Sequence, residues 1–145
     1  MGRIHRIFRL TPSELALLIK AGLLLWGIRL GLWLFPYERL ERFLASVSDP
    51  RGEGPEARLL PSEPVVWAVR RASLLVVRAT CLTQSLAVRV LLERRGFACR
   101  LFIGAGRGEY GAFSAHAWLE CEGKIVIGEL GAELYTPLLA RKTRS

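Results

Sequence analysis

The chain is sparing with the residues that usually carry metal or redox chemistry. In 145 residues it has three cysteines, Cys81, Cys99 and Cys121, and two histidines, His5 and His116. Three cysteines cannot all pair, and none stands in a CxxC arrangement. A zinc site built from these cysteines and His116 would need ligand-pair spacing that the sequence lacks, so no metal and no cofactor is expected. No positively charged lead with an apolar core and a small-residue cleavage site opens the chain. A reducing cytoplasm with free thiols is the expected setting. No internal repeat is visible.

Acid is also scarce. Thirteen Asp and Glu face 21 Lys and Arg, a net charge of +8. The arginines gather at Arg3, Arg6 and Arg9, at Arg70 and Arg71, at Arg94 and Arg95, and in the tail from Arg141 to Arg144. Such clusters read either as a solvated surface or as attraction to an acidic peptide, partner or membrane. The basic and aromatic pattern of a nucleic-acid-binding module is missing, so nucleic acid is not an expected partner. Hydrophobic residues reach 51%, which excludes disorder, and the length suits one domain that can bury a core without disulfides.

Residues 13–35 are strongly apolar and long enough for a membrane span. Thr11 or Ser13 can cap a helix here, with Glu14 favouring its start. Lys20 and Arg29 interrupt the run, each costing roughly 2.5–3.5 kcal/mol at a membrane centre. A helix buried against the domain, or in peripheral contact with a membrane, is therefore expected over a true span. Phe35-Pro36-Tyr37 breaks it, and a short second helix follows from Tyr37 to Val47. Residues 1–48 thus form an N-terminal helical arm, and the Pro- and Gly-rich 49–64 a connector. Residues 65–145 remain as the core unit within one compact domain. Its first helix starts near Pro64 and runs to about Arg78, with Val65, Trp67, Val69, Ala72, Leu75 and Val76 on its apolar face.

Cys81 opens the next helix. Thr80 is a suitable N-cap, and Gly96 a suitable C′ residue. At the first turn, unpaired amides and the helix dipole favour a thiolate; the alternative for Cys81 is a small buried hydrophobe. Leu82, Leu86, Val90, Leu91 and Leu92 form the expected apolar stripe, with Arg89, Glu93, Arg94 and Arg95 on a wet face. Beyond Gly96 the period becomes two, and Phe97, Cys99, Leu101 and Ile103 predict a strand. Residues 104–111 are glycine-rich and read as a mobile rim. They lead into a strand rather than a helix, which argues against a phosphate-binding loop.

The strand from Phe113 places Ser114, His116, Trp118 and Glu120 on one face, with Cys121 and Cys99 read as core. Glu122-Gly123 predicts a two-residue hairpin turn. Counting outward pairs Cys121 with Lys124, Glu120 with Ile125, Leu119 with Val126, Trp118 with Ile127, Ala117 with Gly128 and His116 with Glu129. Opposed residues have Cβ atoms about 4.5–5.5 Å apart. Glu129 would then orient the imidazole, completing a thiol, base and carboxylate set. His5, in the basic N-terminal tail, is a poor candidate.

The stretches Cys81-Leu82-Thr83-Gln84-Ser85-Leu86-Ala87, Leu91-Leu92-Glu93-Arg94-Arg95-Gly96, Leu101-Phe102-Ile103-Gly104 and Ala115-His116-Ala117-Trp118-Leu119-Glu120 occur in that order. With the apolar first helix ending in Leu34-Phe35-Pro36-Tyr37-Glu38-Arg39-Leu40, they resemble the lasso-peptide leader peptidases. These are small, free-standing transglutaminase-like cysteine proteases of bacterial peptide biosynthesis. The resemblance implies an α+β fold: a papain-like or transglutaminase-like core, its catalytic helix packed on a small antiparallel sheet. It further implies Cys81 as nucleophile and His116 as general base. The family usually has aspartate in the third position, where this chain offers Glu129, with Glu133 a weaker substitute. Gln84, one turn along from Cys81, reads as a donor to the site or an exposed helix residue. Trp118 reads as a shield for the imidazole, a wall of the substrate groove, or simple packing. The implied partners are a precursor peptide, a small leader-recognition protein and an ATP-dependent cyclase. Transglutaminase-like acyl transfer and a non-catalytic membrane-associated scaffold of the same fold are the alternatives.

Overall fold

The computed structural model describes residues 11–48, 62–76, 80–107, 113–128 and 136–142. Among the described residues, four helices lie before four strands. Thr11, rather than Ser13, caps α1 (Pro12–Leu34). Its hydroxyl accepts from the Glu14 amide at 3.3 Å, and its own amide donates to the Glu14 carboxylate at 2.9 Å. This capping box satisfies two amides that the first turn leaves without partners. Ala21, Leu25, Ile28 and Gly31 form the buried side of α1. Burial of Leu25 or Ile28 contributes about 1.5–3 kcal/mol each. Gly31 is where α2 (Tyr37–Val47) comes closest, since a Cβ there would stand 2.7 Å from Leu40 Cδ1.

Helix α3 (Glu63–Ser73) ends earlier than its apolar pattern suggests. Val65, Val69, Ala72 and Val76 are buried and Trp67 is half-buried, whereas Leu75 is exposed beside Leu74. Helix α4 (Cys81–Arg94) departs further from expectation. Arg89 and Glu93, read as solvated, are buried. The reason is placement: α4 packs against α1, α2, α3, β1 and β2, which leaves it little wet surface. Glu41 of α2 supplies the counter-charge, its carboxylate 2.8 Å from Arg89 Nη1, with Glu93 at 3.8 Å from Nε. Gly96 closes the helix with φ +89°. The Phe97 amide donates to the Leu92 carbonyl at 3.1 Å and the Gly96 amide to Glu93 at 2.9 Å, a Schellman closure.

The sheet is antiparallel, with strand order β3-β2-β1-β4. β1 (Cys99–Arg107) extends through part of the glycine-rich stretch read as a loop, because Gly104 to Arg107 pair with His116 to Phe113 of β2 (Phe113–Cys121). β4 (Thr136–Lys142) was not expected. It includes Arg141 and Lys142 of the basic tail and pairs with β1.

Glu122 and Gly123 do form the turn into β3 (Lys124–Ile127), both with positive φ. Cys121 pairs with Lys124 and Glu120 with Ile125, as counted. The register then slips, and Leu119 pairs with Ile127 instead of Val126. A bulge places two residues opposite one, so the count that set Trp118 against Ile127 fails. Glu129 and Glu133 themselves lie outside the described residues.

Cys99 and Cys121, read as free core thiols, form a disulfide. They are direct partners on adjacent strands, where opposed Cβ atoms come close enough to bridge. One apolar cluster takes in Leu25, Leu44, Val69, Leu86, Leu101 and Leu119, so the helices of the N-terminal arm pack on the same core as the sheet.

Candidate active site

Cys81 is the first residue of α4. Thr80 stands before it in extended conformation (ψ 167°), and its hydroxyl accepts from the Thr83 amide at 3.3 Å. The Gln84 amide reaches the Thr80 carbonyl at 3.0 Å. The amides of Cys81 and Leu82, ahead of the first complete helical turn, have no acceptor within the helix. Cys81 is half-buried and is the one free cysteine. Its thiol therefore sits at a helix start with access from outside. The zinc arrangement from all three cysteines loses two of its donors to the disulfide.

His116 lies on β2 beyond the three-residue ladder with β3. Its Nε2 is 2.8 Å from the carbonyl oxygen of Gly128. A carbonyl only accepts, so Nε2 carries the hydrogen of this bond. Trp118 is buried and its ring stacks on Phe102 at 5.5 Å between centroids. The imidazole lies 6.1 Å from the same indole at 24°. Trp118 thus stacks beside the imidazole.

Gly128 holds its carbonyl in place through its backbone. Its φ is +83°, and an added Cβ would meet the Ala117 carbonyl oxygen at 2.6 Å and Trp118 Cα at 2.9 Å. Only glycine fits this combination of positive φ and close approach.

Cys81, Gln84, Ser85, His116, Ile127 and Gly128 line one cleft of about 350 Å³, with Arg70 and Ser73 of α3 on its wall. Cys81, His116 and Gln84 are thus gathered in one place, as expected of a site. Arg70, Ser73, Ser85 and the Gly128 carbonyl were not anticipated. For Gly128 the sequence held a signal, a glycine directly after a strand. Nothing local marks Arg70, which is brought in by the packing of α3 on α4. Among the described residues, no group of three or more His, Cys, Asp or Glu is placed to hold a metal ion.

A thiol at a helix start, an oriented imidazole and a shared cleft form the working parts of thiol-based acyl chemistry. A family model described as the transglutaminase-like superfamily matches residues 22–140. The chain belongs to the transglutaminase-like superfamily. The match contains both Cys81 and His116 and runs from within α1 to within β4. The superfamily includes cysteine peptidases and acyltransferases, and its fold is generally catalytic. No curated protein and no solved structure matches this chain.

Proposed function

We propose that this transglutaminase-like protein is a cysteine peptidase that removes the leader from a ribosomally made precursor peptide during lasso-peptide biosynthesis. The observation that carries the reading is the shared cleft of Cys81 and His116, one at a helix start and the other held by Gly128. The ordered motifs around both residues, which resemble the leader peptidases, narrow the chemistry to that substrate.

In this mechanism His116 Nδ1 takes the proton of the Cys81 thiol as the sulfur attacks the scissile carbonyl carbon, forming a C–S bond and placing negative charge on the carbonyl oxygen. The Cys81 amide, directed out of the helix start, stabilises that oxyanion. His116 Nδ1 gives its proton to the departing amine as the C–N bond breaks, leaving the leader as a thioester on Cys81. Nδ1 then takes a proton from water as the water oxygen attacks the thioester carbon, and it returns that proton to the sulfur as the C–S bond breaks, which restores the thiol and releases the leader carboxylate. Gln84 is proposed to donate to the substrate within the cleft, and Trp118 to keep the ring in plane. Glu129 is proposed as the acidic third group acting with the Gly128 carbonyl on His116. A small leader-recognition protein would present the substrate, and an ATP-dependent cyclase would close the freed core peptide.

Mass analysis of a reaction with precursor peptide and recognition protein tests this reading. Hydrolysis yields a leader with an unmodified carboxylate and a core peptide with a new free N-terminus. A leader joined to an added amine would instead assign the site to acyl transfer.

A further inference from the structure

Helix α1 is apolar on two sides, and the protein covers only one. Leu15, Ile19, Leu23, Trp26, Leu30 and Trp33 are 48–80% exposed. They recur every three or four residues, so they form a single stripe roughly 27 Å long at about 1.5 Å per residue. Isolated apolar side chains are ordinary at a protein surface, but a continuous row of six large ones marks an interaction surface. Ala21, Leu25, Ile28 and Gly31 occupy the other side and are buried.

The charge around the stripe identifies its partner. Lys20 and Arg29 lie on α1, and Arg39 and Arg42 are exposed on α2, against Glu14 and Glu38 at the two helix starts. The chain as a whole carries +8. A second copy would bring the same positive charge against itself, whereas an anionic lipid surface complements it. Trp26 and Trp33 have the apolar body and polar N–H suited to the boundary between headgroups and acyl chains. The helix is long and apolar enough to cross a membrane. Crossing would strip Ala21, Leu25 and Ile28 from their contacts with the core, however, and carry Lys20 into hydrocarbon.

We propose that α1 lies flat on an anionic membrane surface, with the stripe from Leu15 to Trp33 entering the headgroup–acyl boundary and the flanking basic residues among the headgroups. This does not depend on the peptidase reading, and its test does not use activity.

The full chain is floated with phosphatidylcholine vesicles, with and without phosphatidylglycerol. The expected result is partition at least about tenfold stronger onto the anionic vesicles, weakening as salt screens the charges. Leu23→Glu and Trp33→Glu should each reduce that partition by about tenfold or more, because a carboxylate replaces apolar contact. Both positions are exposed, so thermal melts should show both variants folded. Three results overturn the proposal: no partition onto either vesicle, partition unchanged in both variants, or a self-associated or acidic-protein-bound form that buries the stripe while vesicles are ignored.

Discussion

His116 Nε2 stands 2.8 Å from the Gly128 carbonyl oxygen and carries the hydrogen of this bond. A main-chain acceptor thus supplies the orientation that a carboxylate supplies in many triads. Trp118, stacked on Phe102, lies beside the same ring.

That relationship predicts an order among variants. Gly128→Ala must abandon φ +83° or push on Ala117 and Trp118, so the carbonyl should leave His116. Cleavage should fall by more than about 100-fold, with a stability loss of about 1–3 kcal/mol read by denaturant. Glu129→Ala, with the Gly128 bond intact, should lose only about 10–100-fold, the range for an outer orienting group. A loss near the roughly 10⁴-fold seen when a serine protease triad loses its aspartate would instead make the carboxylate dominant.

The buried Arg89–Glu41 pair predicts a stability effect away from the cleft. Arg89 is fully buried, and its Nη1 bonds Glu41 at 2.8 Å. Arg89→Ala strands the Glu41 carboxylate in the interior and should cost about 3–5 kcal/mol in urea unfolding. The double variant Arg89→Met with Glu41→Leu should recover much of that loss, since apolar side chains of similar volume often replace a buried pair well.

The cysteine pairing predicts a thiol count. In denaturant without reductant, one thiol should titrate, that of Cys81, and all three should titrate after reduction. Cys99→Ala with Cys121→Ala should lower stability by about 3 kcal/mol, the scale for a loop closed across 22 residues. Three titratable thiols before reduction would contradict the pairing.

What the sequence revealed, and what it withheld, follows from the range of the forces involved. The cap at Thr80, the turn at Glu122-Gly123 and the stop at Gly96 are local, and each is where its residues predict. The bulge at Val126 is not local. It reflects how β3 and Gly128 fit against Ala117 and Trp118, and it undoes a register count that was sound for its first two pairs. The burial of Arg89 likewise depends on Glu41, 48 residues away. Cys99 and Cys121 alternate like core residues, and only the β1–β2 register shows them as partners. β4 pairs with β1 across most of the sheet-forming chain, and the Thr136–Lys142 pattern alone does not announce it. Cys81 and His116 were legible because helix-start position and strand setting are local. Arg70 was not, because it reaches the cleft through helix packing.

In the proposed reaction the Cys81 sulfur attacks the scissile carbonyl while His116 transfers the proton. The most direct measurement compares cleavage of precursor peptide, with its recognition protein present, by the unaltered chain, Cys81→Ala and His116→Gln. Cys81→Ala should abolish cleavage while its thermal melt stays close to that of the unaltered protein, and His116→Gln should cleave at least about 10³-fold more slowly. Cleavage by Cys81→Ala at the unaltered rate would contradict the proposed reaction outright.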